Sequence, residues 1–175
     1  SPLGEAYLLV EIDMLSVVNK FNRPKAYYDW DEIIANVLEI AQQMETSQYL
    51  PDAIVGIKRG GVIPSMMLSM HIGSNWVELQ YPWKNEPEAA NKFSHSLFEA
   101  NRGLEVLILD DISDTGETFE PLVRIASDYC NVKTACIIQN LSSKFLTDFS
   151  GETIDKAKDD CWVVFPWERD YGDET

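Results

Sequence analysis

The stretch Val106-Leu107-Ile108-Leu109-Asp110-Asp111-Ile112-Ser113-Asp114-Thr115-Gly116-Glu117-Thr118 decides how this chain folds and where its chemistry sits. Four consecutive apolar residues predict a strand covered on both faces, the pattern of a parallel sheet interior. The strand is expected to break at Asp110-Asp111, delivering two carboxylates to its carboxyl end. Thr115-Gly116-Glu117-Thr118 then opens a helix running to about Tyr129. Free backbone amides at such a helix start can hold a phosphate. Capping and turn chemistry explain Asp-Asp after a strand or Thr-Gly before a helix, but they do not require the whole arrangement at this spacing.

Working outward, Ala53-Ile54-Val55-Gly56-Ile57 is a second short apolar run, stopped by Lys58-Arg59-Gly60-Gly61 and followed by a helical pattern from about Ile63 to His71. Glycines let backbone amides approach a phosphate closely, and Arg59 can bridge its oxygens. Ile33, Ile34, Val37, Leu38, Ile40, Ala41 and Met44 recur at helical spacing before Pro51. Trp76–Tyr81, Thr134–Ile138 and Trp162–Phe165 read as further strands. Pro82 to Arg102 is polar, has two prolines and lacks clear periodicity, which predicts a flap. Strands alternating with helices give an α/β fold with a mainly parallel central sheet flanked by helices, and such sheets bind ligands beyond their carboxyl ends.

The chain has 175 residues, 45% of them hydrophobic, enough for one sizeable core. Residues 1–24 are read as an N-terminal extension and 25–175 as a single domain. A net charge of −15 disfavours nucleic acid and anionic membranes as partners. Cys130, Cys136 and Cys161 lack metal-ligand spacing and fit a reducing cytoplasm. No apolar run approaches the roughly 20 residues that span a bilayer. His71 and His95 are isolated, and Asp170, Asp173 and Glu174 read as a solvated tail.

The 106–118 segment resembles the signature with which type I phosphoribosyltransferases bind phosphoribosyl pyrophosphate (PRPP). The resemblance spans roughly Lys25 to Arg169 and implies that family's fold, with a flexible flap at about 82–102 and a small base-binding hood at about 140–170. It implies that Asp110 and Asp111 engage the ribose hydroxyls and a Mg2+ ion bound to them, and that the loop of Asp114, Thr115, Gly116, Glu117 and Thr118 grips the 5′-phosphate. Lys58, Arg59, Gly60 and Gly61 resemble the family's pyrophosphate loop, which often holds a cis peptide at the position of Lys58-Arg59.

Trp162-Val163-Val164-Phe165-Pro166-Trp167 is similar to a segment of bacterial xanthine-guanine phosphoribosyltransferases. The likeness implies that Trp162 stacks on a purine and that the Val163 backbone faces its exocyclic groups, while Trp167 reads better as a core or interface anchor. An acid at Asp114 is what 6-oxopurine members place near purine N7, as the group that manages its proton. One departure stands out. Where those members put a lysine against the 6-oxygen, this chain has Asn140, with Gln139 beside it and Lys144 just beyond.

The implied reaction joins PRPP to a purine base, giving a nucleoside monophosphate and pyrophosphate, in a homodimer or homotetramer. The competing expectations are a transferase acting on a different base and a regulatory PRPP or nucleotide binder without turnover.

Overall fold

A computed structural model describes residues 23–82 and 86–168. The described residues divide into two compact units, a larger one within 30–155 and a smaller one of residues 23–29 with 156–168. In chain order the elements are β1 (Lys25–Tyr27), α1 (Trp30–Thr46), β2 (Ala53–Lys58), α2 (Val62–Ile72), β3 (Asn75–Gln80), α3 (Pro87–Ala100), β4 (Glu105–Ser113), α4 (Phe119–Ser127), β5 (Asn131–Asn140), β6 (Phe149–Ile154) and β7 (Trp162–Val164). A 3-10 turn follows at Pro166–Glu168.

The larger unit is built on a five-stranded sheet of order β3-β2-β4-β5-β6 in which every pairing is parallel. β4 sits at its centre, and Val106, Leu107, Ile108 and Leu109 are fully buried, each such side chain contributing about 1.5–3 kcal/mol by leaving water. Val106 and Ile108 pack in one cluster with Phe98 of α3 and Phe119 and Leu122 of α4. Helices α1 and α2 pack against the same sheet, α1 mainly on β6 and α2 mainly on β2.

Several elements differ from expectation. β4 does not stop at Leu109. Asp110, Ile112 and Ser113 continue the ladder with Cys136, Ile138 and Gln139, because β5 is ten residues long and offers partners that far. The β2 pairing ends at Gly56 opposite Leu109, so beyond that point β4 is free on one side to present its carboxylates. Helix α4 begins at Phe119 rather than Thr115, since Gly116 has φ +88°, a left-handed conformation that an α-helix cannot include.

The stretch read as lacking clear periodicity contains α3. Pro87 opens it, and Ala90, Ser94 and Phe98, spaced four apart, are buried on one face. Residues 83–85 lie outside the described part.

In the smaller unit, β1 and β7 form a three-residue parallel ladder from Lys25 opposite Trp162 to Tyr27 opposite Val164. Phe165 stacks on Trp167 with ring centroids 4.8 Å apart, so Trp167 is an anchor within that unit, as expected. The acidic stretch 170–174 and most of the 1–24 extension lie outside the described residues.

Candidate active site at the carboxyl ends of β2 and β4

The turn after β2 and the end of β4 meet. Gly61 donates its amide to the Ile57 carbonyl at 2.9 Å and leads into α2. A Cβ on Gly61 would lie 2.5 Å from the Leu109 carbonyl oxygen and 2.9 Å from Asp110 Cα, so only glycine lets the turn rest on the central strand. At Gly60 an added Cβ would come within 1.7 Å of Asp111 Oδ2, which locates that carboxylate directly against the turn.

The Lys58-Arg59 peptide is cis, as the resemblance implied. Arg59 is exposed, whereas the Lys58 ammonium pairs with Glu78 of β3 at 2.6 Å, both side chains being partly exposed.

The two acids differ in environment. Asp110 Oδ1 accepts the Asp111 amide and Asp111 Oδ1 accepts the Ile112 amide, each at 2.8 Å. Burial holds the Asp110 carboxyl well above the usual carboxylate range, and the adjacent Asp111 charge pushes the same way. Residues Asp110 to Phe119 line a cavity of about 180 Å3. A larger groove of about 720 Å3, bounded by Leu38, Met44, Tyr49 and Leu50 among others, lies instead beside α1 and α2, away from this chemistry.

The 114–118 turn is held from the far side by the loop after β5. Gly116 fits against Phe145, whose amide nitrogen would be 2.7 Å from an added Cβ. Lys144 donates its amide to the Thr115 carbonyl at 3.2 Å, and Ser113 Oγ donates to the Phe145 carbonyl at 2.8 Å. Phe145 also stacks on Phe119, with centroids 5.3 Å apart.

Asn140, expected at the base, donates Nδ2 to the Asp114 carbonyl at 3.0 Å and to its Oδ1 at 3.2 Å. Gln139 is buried. Its Oε1 accepts from the Thr147 amide at 2.9 Å and from Thr147 Oγ1 at 3.0 Å, while Nε2 donates to the Asn140 and Phe145 carbonyls at 2.9 and 3.2 Å.

Asp110, Asp111, Gly60 and Gly61 are thus brought together, and Asp114 through Thr118 continue along the same strand end. Asp114 lies five residues ahead of the first residue of α4. Trp162, half-buried, and Val163, buried, lie on β7 in the smaller unit. Ser113, Ser143 and Phe145 were not singled out from sequence. Their one signal is a polar Ser-Ser-Lys-Phe turn directly after a buried strand. Cys136 is buried beside the site, and burial pushes its thiol up to about 12, so it is inert as a nucleophile at neutral pH.

Residues 24–171 match the family described as phosphoribosyl transferase domain. A xanthine-guanine phosphoribosyltransferase of Cereibacter sphaeroides is 28% identical over 152 residues, covering 81% of this chain and 86% of the relative. An orotate phosphoribosyltransferase of Bartonella bacilliformis is 37% identical over 99 residues, but these span 53% of this chain and 46% of that protein. Among solved structures, a purine phosphoribosyltransferase from Pyrococcus horikoshii superposes with a TM-score of 0.61 at 22% identity, covering 83% of this chain and 95% of that one, a likeness of fold. No helix among the described residues is long and apolar enough to cross a membrane.

Proposed function

The chain belongs to the phosphoribosyl transferase family, and from that premise we propose that it moves the 5-phosphoribosyl group of PRPP onto a 6-oxopurine base, releasing a nucleoside 5′-monophosphate and pyrophosphate. The reading rests above all on one observation, the contact of the Gly60-Gly61 turn with Asp110 and Asp111 at the ends of β2 and β4. A donor with a pyrophosphate at one end and a ribose phosphate at the other needs two anion-binding turns flanking a pair of carboxylates.

In this reading the Arg59-Gly60-Gly61 turn receives the pyrophosphate, its glycine amides approaching the anion closely. Asp110 and Asp111 orient the ribose hydroxyls. The amides of 115–118, ahead of α4, hold the 5′-phosphate. Asp114 manages the N7 proton of the base. Lys58 serves the turn through its pair with Glu78 rather than as a lone cation.

The acid pair also fits magnesium. A buried carboxyl raised by its neighbour's charge is a donor set short of positive charge. Two carboxylates are enough protein ligands for an ion that keeps several waters and takes substrate oxygens. Asp110 and Asp111 would hold it, and its chemistry when bound is to neutralise charge on the departing pyrophosphate.

The experiment is pyrophosphate release from PRPP and Mg2+ with hypoxanthine, guanine, xanthine, adenine, uracil, orotate and no base, identifying each nucleotide product. Selective turnover of a 6-oxopurine is expected. Selective turnover of orotate or uracil overturns the acceptor assignment, and PRPP binding without turnover of any base supports a regulatory binder. A different acceptor is favoured by one observation, the engagement of Asn140 with Asp114 where a cationic base contact was expected.

A further inference from the structure

Asn140 ends β5 at a place set by the sheet register. Ser113 is opposite Gln139, so the next residues along the two strands, Asp114 and Asn140, emerge side by side. The orientation of the Asn140 amide is fixed by its surroundings. Oδ1 accepts the Ser142 amide at 3.1 Å, and Ser142 Oγ in turn donates to Asp155 at 2.7 Å. Flipping the amide would set its oxygen against the Asp114 carbonyl and carboxylate, and its NH2 against an N–H, so Nδ2 must face Asp114.

That group has two hydrogens, and two oxygens of Asp114 stand within reach. Asn140 is 5% exposed. Asp114 is half-buried, and a charge-assisted hydrogen bond from a buried, oriented amide favours one placement of its carboxylate.

We propose that Asn140 is a positioning residue that acts through Asp114, clamping both its backbone and its carboxylate, and is not itself a contact to the base. This deepens the functional reading above and rests on it. The clamp joins the acceptor side of the site to the 5′-phosphate turn, since the same loop supplies Lys144 to Thr115 and Phe145 to Gly116. A lysine at position 140 would keep a donor but lose the acceptor that anchors Ser142.

A double-mutant cycle tests this, using pyrophosphate release at saturating PRPP and Mg2+. Asp114→Asn alone is expected to lower kcat about 100-fold. Asn140→Ala should lower kcat about 10-fold or more, with KM for the base changed by less than about 3-fold. In the Asp114→Asn background the same substitution should cost little further, because coupled residues are not additive.

Equal losses in both backgrounds, with a raised KM for the base, overturn the proposal in favour of direct base contact. Asn140→Asp is the second variant. It preserves shape and the acceptor for Ser142 while replacing the donor with a like charge, and should lose at least as much kcat as alanine.

If the wild-type protein turns over no base, the functional reading fails and amide hydrogen exchange decides this one. Faster exchange at 114–118 in Asn140→Ala, with residues 58–61 unchanged, supports the clamp, and retained protection at 114–118 overturns it.

Discussion

The turn at 58–61 and the turn at 114–118 follow adjacent parallel strands, and the proposed function gives both a phosphate to hold, yet they are held in opposite ways. The first is shaped by what it lacks. Two glycines press on the backbone of β4 and on the Asp111 carboxylate, leaving no room for a side chain. The second is shaped by what surrounds it, since Asn140 at the end of β5 and Ser143, Lys144 and Phe145 of the loop after it supply hydrogen bonds and packing, with Ser113 at the end of β4 tied to the same loop. Adding atoms should therefore break the first turn, and removing polar atoms should loosen the second.

The largest effect is expected from Gly61→Ala. Its Cβ would meet the Leu109 carbonyl oxygen at 2.5 Å and the Ile57 carbonyl oxygen at 2.8 Å, both backbone atoms of central strands that cannot yield locally. A shift of even about 1 Å at this point should cost roughly 100-fold or more in kcat/KM for PRPP, with a lowered Tm. Gly60→Ala should be milder in Tm, because it meets a carboxylate that can rotate, but it displaces Asp111. Equal Tm losses for the two variants would break the distinction between backbone and side-chain clash.

On the other turn the matching test is Gln139→Leu, which removes the acceptor for the Thr147 amide and hydroxyl and the donor to the Phe145 carbonyl. Leaving buried polar groups unsatisfied should cost about 1–3 kcal/mol in denaturant unfolding. Turnover should fall only a few-fold, since no group that touches substrate is lost. Unchanged stability would mean that the loop after β5 is not what holds 114–118.

Between the turns lies the acid pair, and there pH separates function from stability. The folded Asp110 carboxyl is raised by burial and by Asp111. The folded state therefore binds that proton more tightly than the unfolded chain, and stability falls as pH rises above the unfolded carboxylate value near about 4. Asp110→Asn removes that cost. In chelator and without PRPP, the variant should melt higher than wild type at neutral pH, with the gain vanishing toward about pH 4, while turnover is lost. A gain that persists at pH 4 would assign the effect to packing instead of charge.

This division also explains what could be read from the amino-acid order. The Gly60-Gly61 pair, the acids and the apolar run of β4 are local features, so the ends of β2 and β4 and the meeting of acids and glycines there were legible residue by residue. The Asn140–Asp114 contact joins positions 26 apart and exists only through the β4–β5 register, which sequence pattern does not reveal. β6 was missed because Phe149 alone in it is buried, so no apolar run announces an edge strand. Helix α3 was missed because its buried face includes Ser94, which hides the period. β7 was legible from its aromatic and β-branched residues, whereas its partner β1, three residues with one partly buried position, was not.

The smallest effect is expected at Glu78→Gln, and it probes the comparison most directly. Lys58 and Glu78 form the one ion pair found at the 58–61 turn among the described residues. Both side chains keep contact with water, at 36% and 46% exposure, so solvent screening should limit the pair to less than about 1 kcal/mol. If glycine contacts set the turn, Gln at 78 leaves its backbone in place, and Tm and KM for PRPP should move little. Raised salt should have no more effect on wild type than on the variant. A loss approaching that of Gly61→Ala would mean that charge across the β2–β3 edge holds the donor turn, and the contrast with 114–118 would then be one of degree rather than of kind.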